Sequence, residues 1–148
     1  LNNVIYSCYY GSYLAAVAAA LHLGLMKEFD SGKITNLPYF GNLGKDQWGK
    51  LYFVGEDESG RKIYIMGSKK AGRIVEKALK GIARIYNMGE TSVVFVDLLP
   101  FGNVFFATGC FILRRFNLKR AGNFFLMTGI RKSFRKLRDL VESIKKSA

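Results

Sequence analysis

The sequence predicts a three-layer α/β/α sandwich around a mixed, mostly parallel five-stranded sheet with one β-hairpin. Three observations carry that reading. Short β-branched and aromatic runs alternate with longer segments of helical period, the pattern of strand–helix crossovers. The 148 residues fit a single α/β domain over 1–148, large enough to bury a core without a disulfide or metal. With 49% hydrophobic residues and only two prolines, the chain has the make-up of a packed domain, not a disordered one.

The elements follow in order. Val4 to Ser7 is a short apolar run that reads as a buried strand. Gly11 and Ser12 break it. Tyr13 to Leu23, rich in alanine and leucine, reads as a helix ended by Gly24. Residues 28 to 48, with Asp30, Pro38, Gly41 and Gly44, read as loop. Leu51–Val54 and Lys62–Met66 flank the turn cluster Gly55 to Gly60 and form a hairpin. Ser68 is a candidate N-cap for a helix from Lys69 to Asn87, whose Ile74, Val75, Ala78, Leu79, Ile82 and Ile85 recur at three- and four-residue steps. Ser92 to Leu98 is continuously apolar, as expected of a central parallel strand. Val104 to Phe116 reads as helix, Asn123 to Met127 as a fifth strand, Thr128-Gly129 as a turn, and Ile130 to Lys146 as an amphipathic helix.

Charge divides the chain. Residues 1–68 carry six basic and six acidic side chains, whereas residues 69–148 carry seventeen basic and five acidic. The whole net charge of +12 therefore lies in the second half, which points to an anionic partner. Cys8 and Cys110 stand far apart in sequence with no Cys-x-x-Cys pair, and His22 is the lone histidine, so no zinc set is expected. Two apolar thiols suit a reducing compartment, and a cytoplasmic location is expected. No basic region precedes the apolar stretch Ala15–Leu25, so it is not read as a signal peptide. Asp97, Pro100, Gly102 and Asn103 interrupt Val93–Leu113, so no transmembrane segment is expected.

Three strand-to-helix crossings, at 8–13, 98–104 and 127–131, would share the edge where ligands of open α/β sheets bind. A small anion or phosphate-bearing molecule is the expected ligand there. Gly11, Ser12, Asn103, Thr128, Gly129 and Arg131 are its candidate binding residues, because backbone N–H groups at helix starts and an arginine suit a phosphate. Two alternatives stand beside this one. The helices at 69–87 and 130–146 would bind nucleic acid or an acidic surface, although no nucleic-acid-binding motif is present. A phosphate-ester hydrolase would use Cys8, at a strand end before a helix start, or Asp97. Cysteine phosphatases place an arginine six residues after the cysteine; that position here is Leu14. No cofactor is specified.

Four stretches carry a family resemblance. They are Ile5-Tyr6 with Tyr10-Gly11-Ser12 and Ala18 to Gly24; Gly55 to Gly67; Asn103 with Gly109 and Arg114-Arg115; and Thr128-Gly129-Ile130 with the last helix. In these the chain resembles a family of small bacterial proteins, mainly from spore-forming Firmicutes, known as a domain of unknown function. The resemblance implies a complete member but no activity. In the family the first loop often reads Gly-Gly-x-His-Ser-Ser. Here it reads Tyr10-Gly11-Ser12-Tyr13-Leu14-Ala15, which implies weakened or lost chemistry at that loop.

Overall fold

The computed structural model describes residues 3–41, 48–89 and 92–147; Gly44 and part of the expected loop at 28–48 lie outside them. The elements are β1 (Asn3–Cys8), α1 (Leu14–His22), α2 (Ser31–Thr35), β2 (Tyr52–Glu56), β3 (Lys62–Gly67), α3 (Gly72–Ile85), β4 (Val93–Asp97), α4 (Val104–Arg115) and α5 (Lys119–Lys146). A 3-10 turn, Leu99–Phe101, links β4 to α4.

The described sheet has four strands in the order β2-β3-β1-β4. β1 runs parallel to both β3 and β4, with Tyr6 opposite Ile65 on one side and Val96 on the other. β2 pairs antiparallel with β3 as the expected hairpin, with an irregularity between Phe53 and Gly55. Two expectations about strands are corrected. Ser92–Leu98, expected to be central because it is continuously apolar, supplies the edge strand β4. Most of its residues are half-buried because α3 lies against one face and the main core against the other, while among the described residues no strand pairs with its outer edge. Asn123–Met127 is not a fifth strand; it lies inside α5, a single helix of 28 residues.

The reason for the second correction lies in three glycines. Gly122 and Gly129, seven residues apart on α5, meet α4 at Leu113 and at the backbone of Phe106, and Gly109 of α4 meets the backbone of Leu126. A side chain at any of the three would collide with those atoms. Residue pairs 106–129, 109–126 and 113–122 run in opposite senses, so α4 and α5 form an antiparallel hairpin, turned by Phe116-Asn117-Leu118 with Asn117 at φ +54°. Thr128-Gly129 is thus a point of close helix approach and not a turn.

Helices lie on both faces of the sheet, but unequally. Val4, Tyr6 and Cys8 of β1, Ile63 and Ile65 of β3 and Val96 of β4 join one large core with α1, α4 and α5. Every residue of α1 is buried. A helix covered all round has to be apolar all round, which is why this segment shows no amphipathic stripe. On the other face α3 sits over β4, and Leu79, Ala83, Val93 and Phe95 line a small gap between the two. There α3 buries only Gly72 and Ala83 and leaves Ile74, Ile82 and Ile85 exposed. Ser68 does not cap α3; its hydroxyl bonds that of Ser7 beneath it. Among the described residues no helix is long and apolar enough to cross a membrane.

Candidate functional site

The C-terminal ends of the parallel strands meet at one edge. The loop after β1 is wrapped around a sulfur. Gly11, at φ +77°, donates its N–H to Cys8 Sγ at 3.1 Å. Only glycine fits there, since a Cβ would strike the backbone at Met66 and Gly67. Burial pushes the Cys8 thiol up, and the surrounding N–H groups of Ala15, Gly11, Tyr13 and Tyr10 offset only part of that. A thiol held this way is protonated near neutral pH. Ser12 is fully buried, and its Oγ has no hydrogen-bond partner among the described residues.

Aromatic rings pack above this loop. Tyr10 contacts Tyr9, Tyr13 and Trp48 edge-on or tilted, and Tyr13 contacts Phe40 and Phe106. Trp48 donates its indole N–H to the Tyr9 carbonyl at 3.0 Å. The Arg114 guanidinium lies 4.1 Å from the Tyr10 ring centroid, a cation–π contact that ties α4 to the loop. Tyr9, Tyr10, Tyr13, Trp48 and Phe40 therefore build an aromatic lid at the β1–α1 turn, whereas Leu14 and Ala15 are buried in the core.

Beside that lid a cleft of about 540 Å³ opens between the ends of β1 and β4 and the start of α4. Leu14, Leu98, Phe106 and Ala107 form apolar walls, Cys8 and Cys110 add two thiols, and Lys70 brings a cation from the β3–α3 connection. Burial also pushes the Cys110 thiol up. The two cysteines, distant in sequence, thus face one cavity, and both are free thiols. Among the described residues no group of three or more His, Cys, Asp or Glu side chains could hold a metal ion.

The six candidate binding residues fall in four places. Gly11 and Ser12 lie in the β1–α1 loop. Asn103 lines the cleft, but its side chain is occupied: Oδ1 accepts the Phe106 N–H at 3.0 Å, and Nδ2 donates to the Gly129 carbonyl at 2.8 Å and to Ser133 Oγ at 3.0 Å. It caps α4 and clamps it to α5. Gly129 is buried at the helix crossing. Thr128 and Arg131 line a separate groove with Phe29, Thr35 and Arg120, and the Arg131 guanidinium lies 5.9 Å from the Phe29 ring centroid. Asp97, at the end of β4, accepts the Leu99 N–H at 3.0 Å, and its carboxylate rests against Gly72. The sequence reading missed Lys70, Leu98, Phe106 and Cys110 as neighbours, because they come from the β3–α3 connection, the end of β4 and helix α4, which are separate segments of the chain.

It also missed a buried polar network at the opposite edge. Tyr6 OH donates to His22 Nδ1 at 2.7 Å, and His22 Nε2 donates to Asp57 Oδ2 at 3.0 Å. Arg61 Nε donates to the same oxygen at 2.7 Å. The Arg61 guanidinium further reaches the carbonyls of Ile144 and Lys145 at the end of α5. Accepting from tyrosine and donating to carboxylate, His22 is neutral. Burial drives its pKa below the usual 6.5, with the Asp57 hydrogen bond opposing. Burial alone would raise the Asp57 carboxyl, but hydrogen bonds from Arg61, His22 and Ser59 outweigh it and hold it at about 2.

The pH dependence has a definite sign. Both folded-state pKa values lie below their unfolded values, so the unfolded chain takes up protons first. The stability these two groups contribute is full above about 6.5 and declines as pH falls: His22 acts below its ordinary value, and Asp57 acts from 3.8 down to about 2. Urea titrations between pH 7.5 and 5 should show that decline in the wild type and a flatter profile in His22→Gln. Equal slopes would remove His22 as the cause.

Fold and cleft together define a mixed α/β chain with a largely apolar cavity at the strand C-terminal edge. The chain belongs to the family described as Protein of unknown function (DUF3189), which matches residues 3–146. No curated protein and no solved structure matches it.

Proposed function

We propose that the chain is a binding module for a small molecule that carries an anionic group, such as a phosphate, on an apolar body. One observation carries this reading: the 540 Å³ cleft at the strand edge is walled by Leu14, Leu98, Phe106 and Ala107 and holds the Lys70 cation. Apolar walls with few polar groups are usual in ligand cavities, the walls supplying contact area and the cation supplying orientation. A bare phosphate would leave those walls wet. The anion is therefore placed at Lys70 and the α4 start, and not on the lidded β1–α1 turn.

Thermal-shift titration tests the proposal. An alkyl phosphate should stabilise the protein saturably, and inorganic phosphate should do so much less. Lys70→Gln should weaken alkyl phosphate binding roughly ten- to hundredfold, the value of one charge-assisted hydrogen bond. Ala107→Trp should fill the cleft and abolish the shift. Stabilisation of equal size in Ala107→Trp would place the ligand elsewhere, and no shift with any small anion would end this reading.

A further inference from the structure

The tip of the α4–α5 hairpin carries a second feature, away from the cleft. Every residue from Arg115 to Ala121 is exposed. Four large apolar side chains stand in water around it: Phe111 at 57% exposure, Phe116 at 60%, Leu118 at 57% and Phe124 at 68%. Phe111 and Phe116 contact each other edge-on with centroids 5.8 Å apart. Arg115, Lys119 and Arg120 are interleaved with them. Between Asp97 and Asp139 the chain contains nine basic residues and no acidic one. Exposed phenylalanine and leucine side chains on a turn are unfavourable in water.

We propose that this tip docks on an anionic lipid bilayer. Charge and shape select that occupant. The exposed cations alternate along the chain with the apolar side chains, so burying Phe111, Phe116, Leu118 and Phe124 in the acyl boundary would leave Arg115, Lys119 and Arg120 within reach of the headgroups. The absence of any carboxylate along residues 98–138 removes the repulsion that an anionic surface would otherwise meet. A single-stranded nucleic acid would want flat rings presented separately for stacking; here two of the rings are turned on each other. The connection is an exposed turn between two helices, which suits insertion into a soft surface.

Vesicle co-sedimentation tests this on the whole chain. Vesicles of phosphatidylcholine with phosphatidylserine should bind the protein, pure phosphatidylcholine vesicles far less, and added salt should release it. Lys119→Gln with Arg120→Gln should weaken partitioning about thirtyfold, from two surface cations. Phe116→Ser with Leu118→Ser should abolish it while the melting temperature stays that of the wild type, because both side chains are exposed. No binding to the serine-lipid vesicles overturns the proposal. So does equal binding to neutral vesicles, or full binding by Phe116→Ser/Leu118→Ser. The cleft reading is independent of all three outcomes, since Lys70 and Ala107 take no part in the tip.

Discussion

Asp57→Asn is expected to cost about 3–5 kcal/mol of stability, because it leaves the Arg61 guanidinium buried without its charge partner. Arg61 is 5% exposed, and Asp57 accepts from its Nε, from its backbone N–H and from His22. An asparagine of the same shape keeps one acceptor oxygen but not the charge, and its amide would face donors. Against a total of about 5–15 kcal/mol for a domain of this kind, that loss is severe. Urea unfolding measures it. The companion variant, Asp57→Leu with Arg61→Met, removes both charges and should lose much less, since replacing a buried pair with apolar groups is often close to neutral. A double variant as unstable as Asp57→Asn would show that the hydrogen bonds to Ser59 and to the end of α5 matter more than the unpaired charge.

Gly129→Ala is expected to destabilise by about 1–3 kcal/mol, although alanine is the better helix former. Two effects compete. Alanine gains up to about 1 kcal/mol of helix propensity over glycine. Its methyl group, however, would overlap the backbone of Phe106 across the helix crossing, and backbone cannot rotate away as a side chain can. Overlap therefore wins, and α4 must lift from α5. Gly81→Ala on α3 isolates the other term. Nothing lies within 4 Å of that added Cβ, so only the propensity gain remains and stability should rise. Melting temperatures of the two variants should move in opposite directions. A shift of the same sign in both would refute the crossing as the source.

The contrast between those glycines explains how much of the fold was legible. The hairpin at 52–67, the first helix and the parallel strands β1 and β4 were visible because period, turn residues and apolar runs are local signals. The fifth strand failed because Phe124, Phe125, Leu126 and Met127 fit either a strand or a buried helix, and Thr128-Gly129 read as a break. What decides between them is the backbone of Phe106, twenty-three residues away. Edge and centre were exchanged for a similar reason: an apolar run reports burial of its faces but not of its edges. Of the residues that line the cleft, Cys8 and Asn103 were named as site candidates from the sequence, since each lies where a strand gives way to the helix that follows it. Lys70 and Cys110 were not, because nothing in their own neighbourhoods marks them as cleft residues. Asp57 and Arg61 read as turn residues, and they are, yet the same turn holds His22 and the last helix.

That last contact also bears on the order in which the molecule can be completed. Arg61 belongs to the sheet hairpin, but two of its donors end on carbonyls of residues 144 and 145. Those carbonyls stand at the final turn of α5, where a helix lacks partners of its own. During synthesis the hairpin emerges more than eighty residues before them. Until they arrive, the guanidinium stays in water and the face of α1 that α5 will cover stays open. The hairpin and the turn of α5 at residues 144 and 145 thus complete each other, and removing that turn would take two acceptors from Arg61 and one part of the cover from α1 at once.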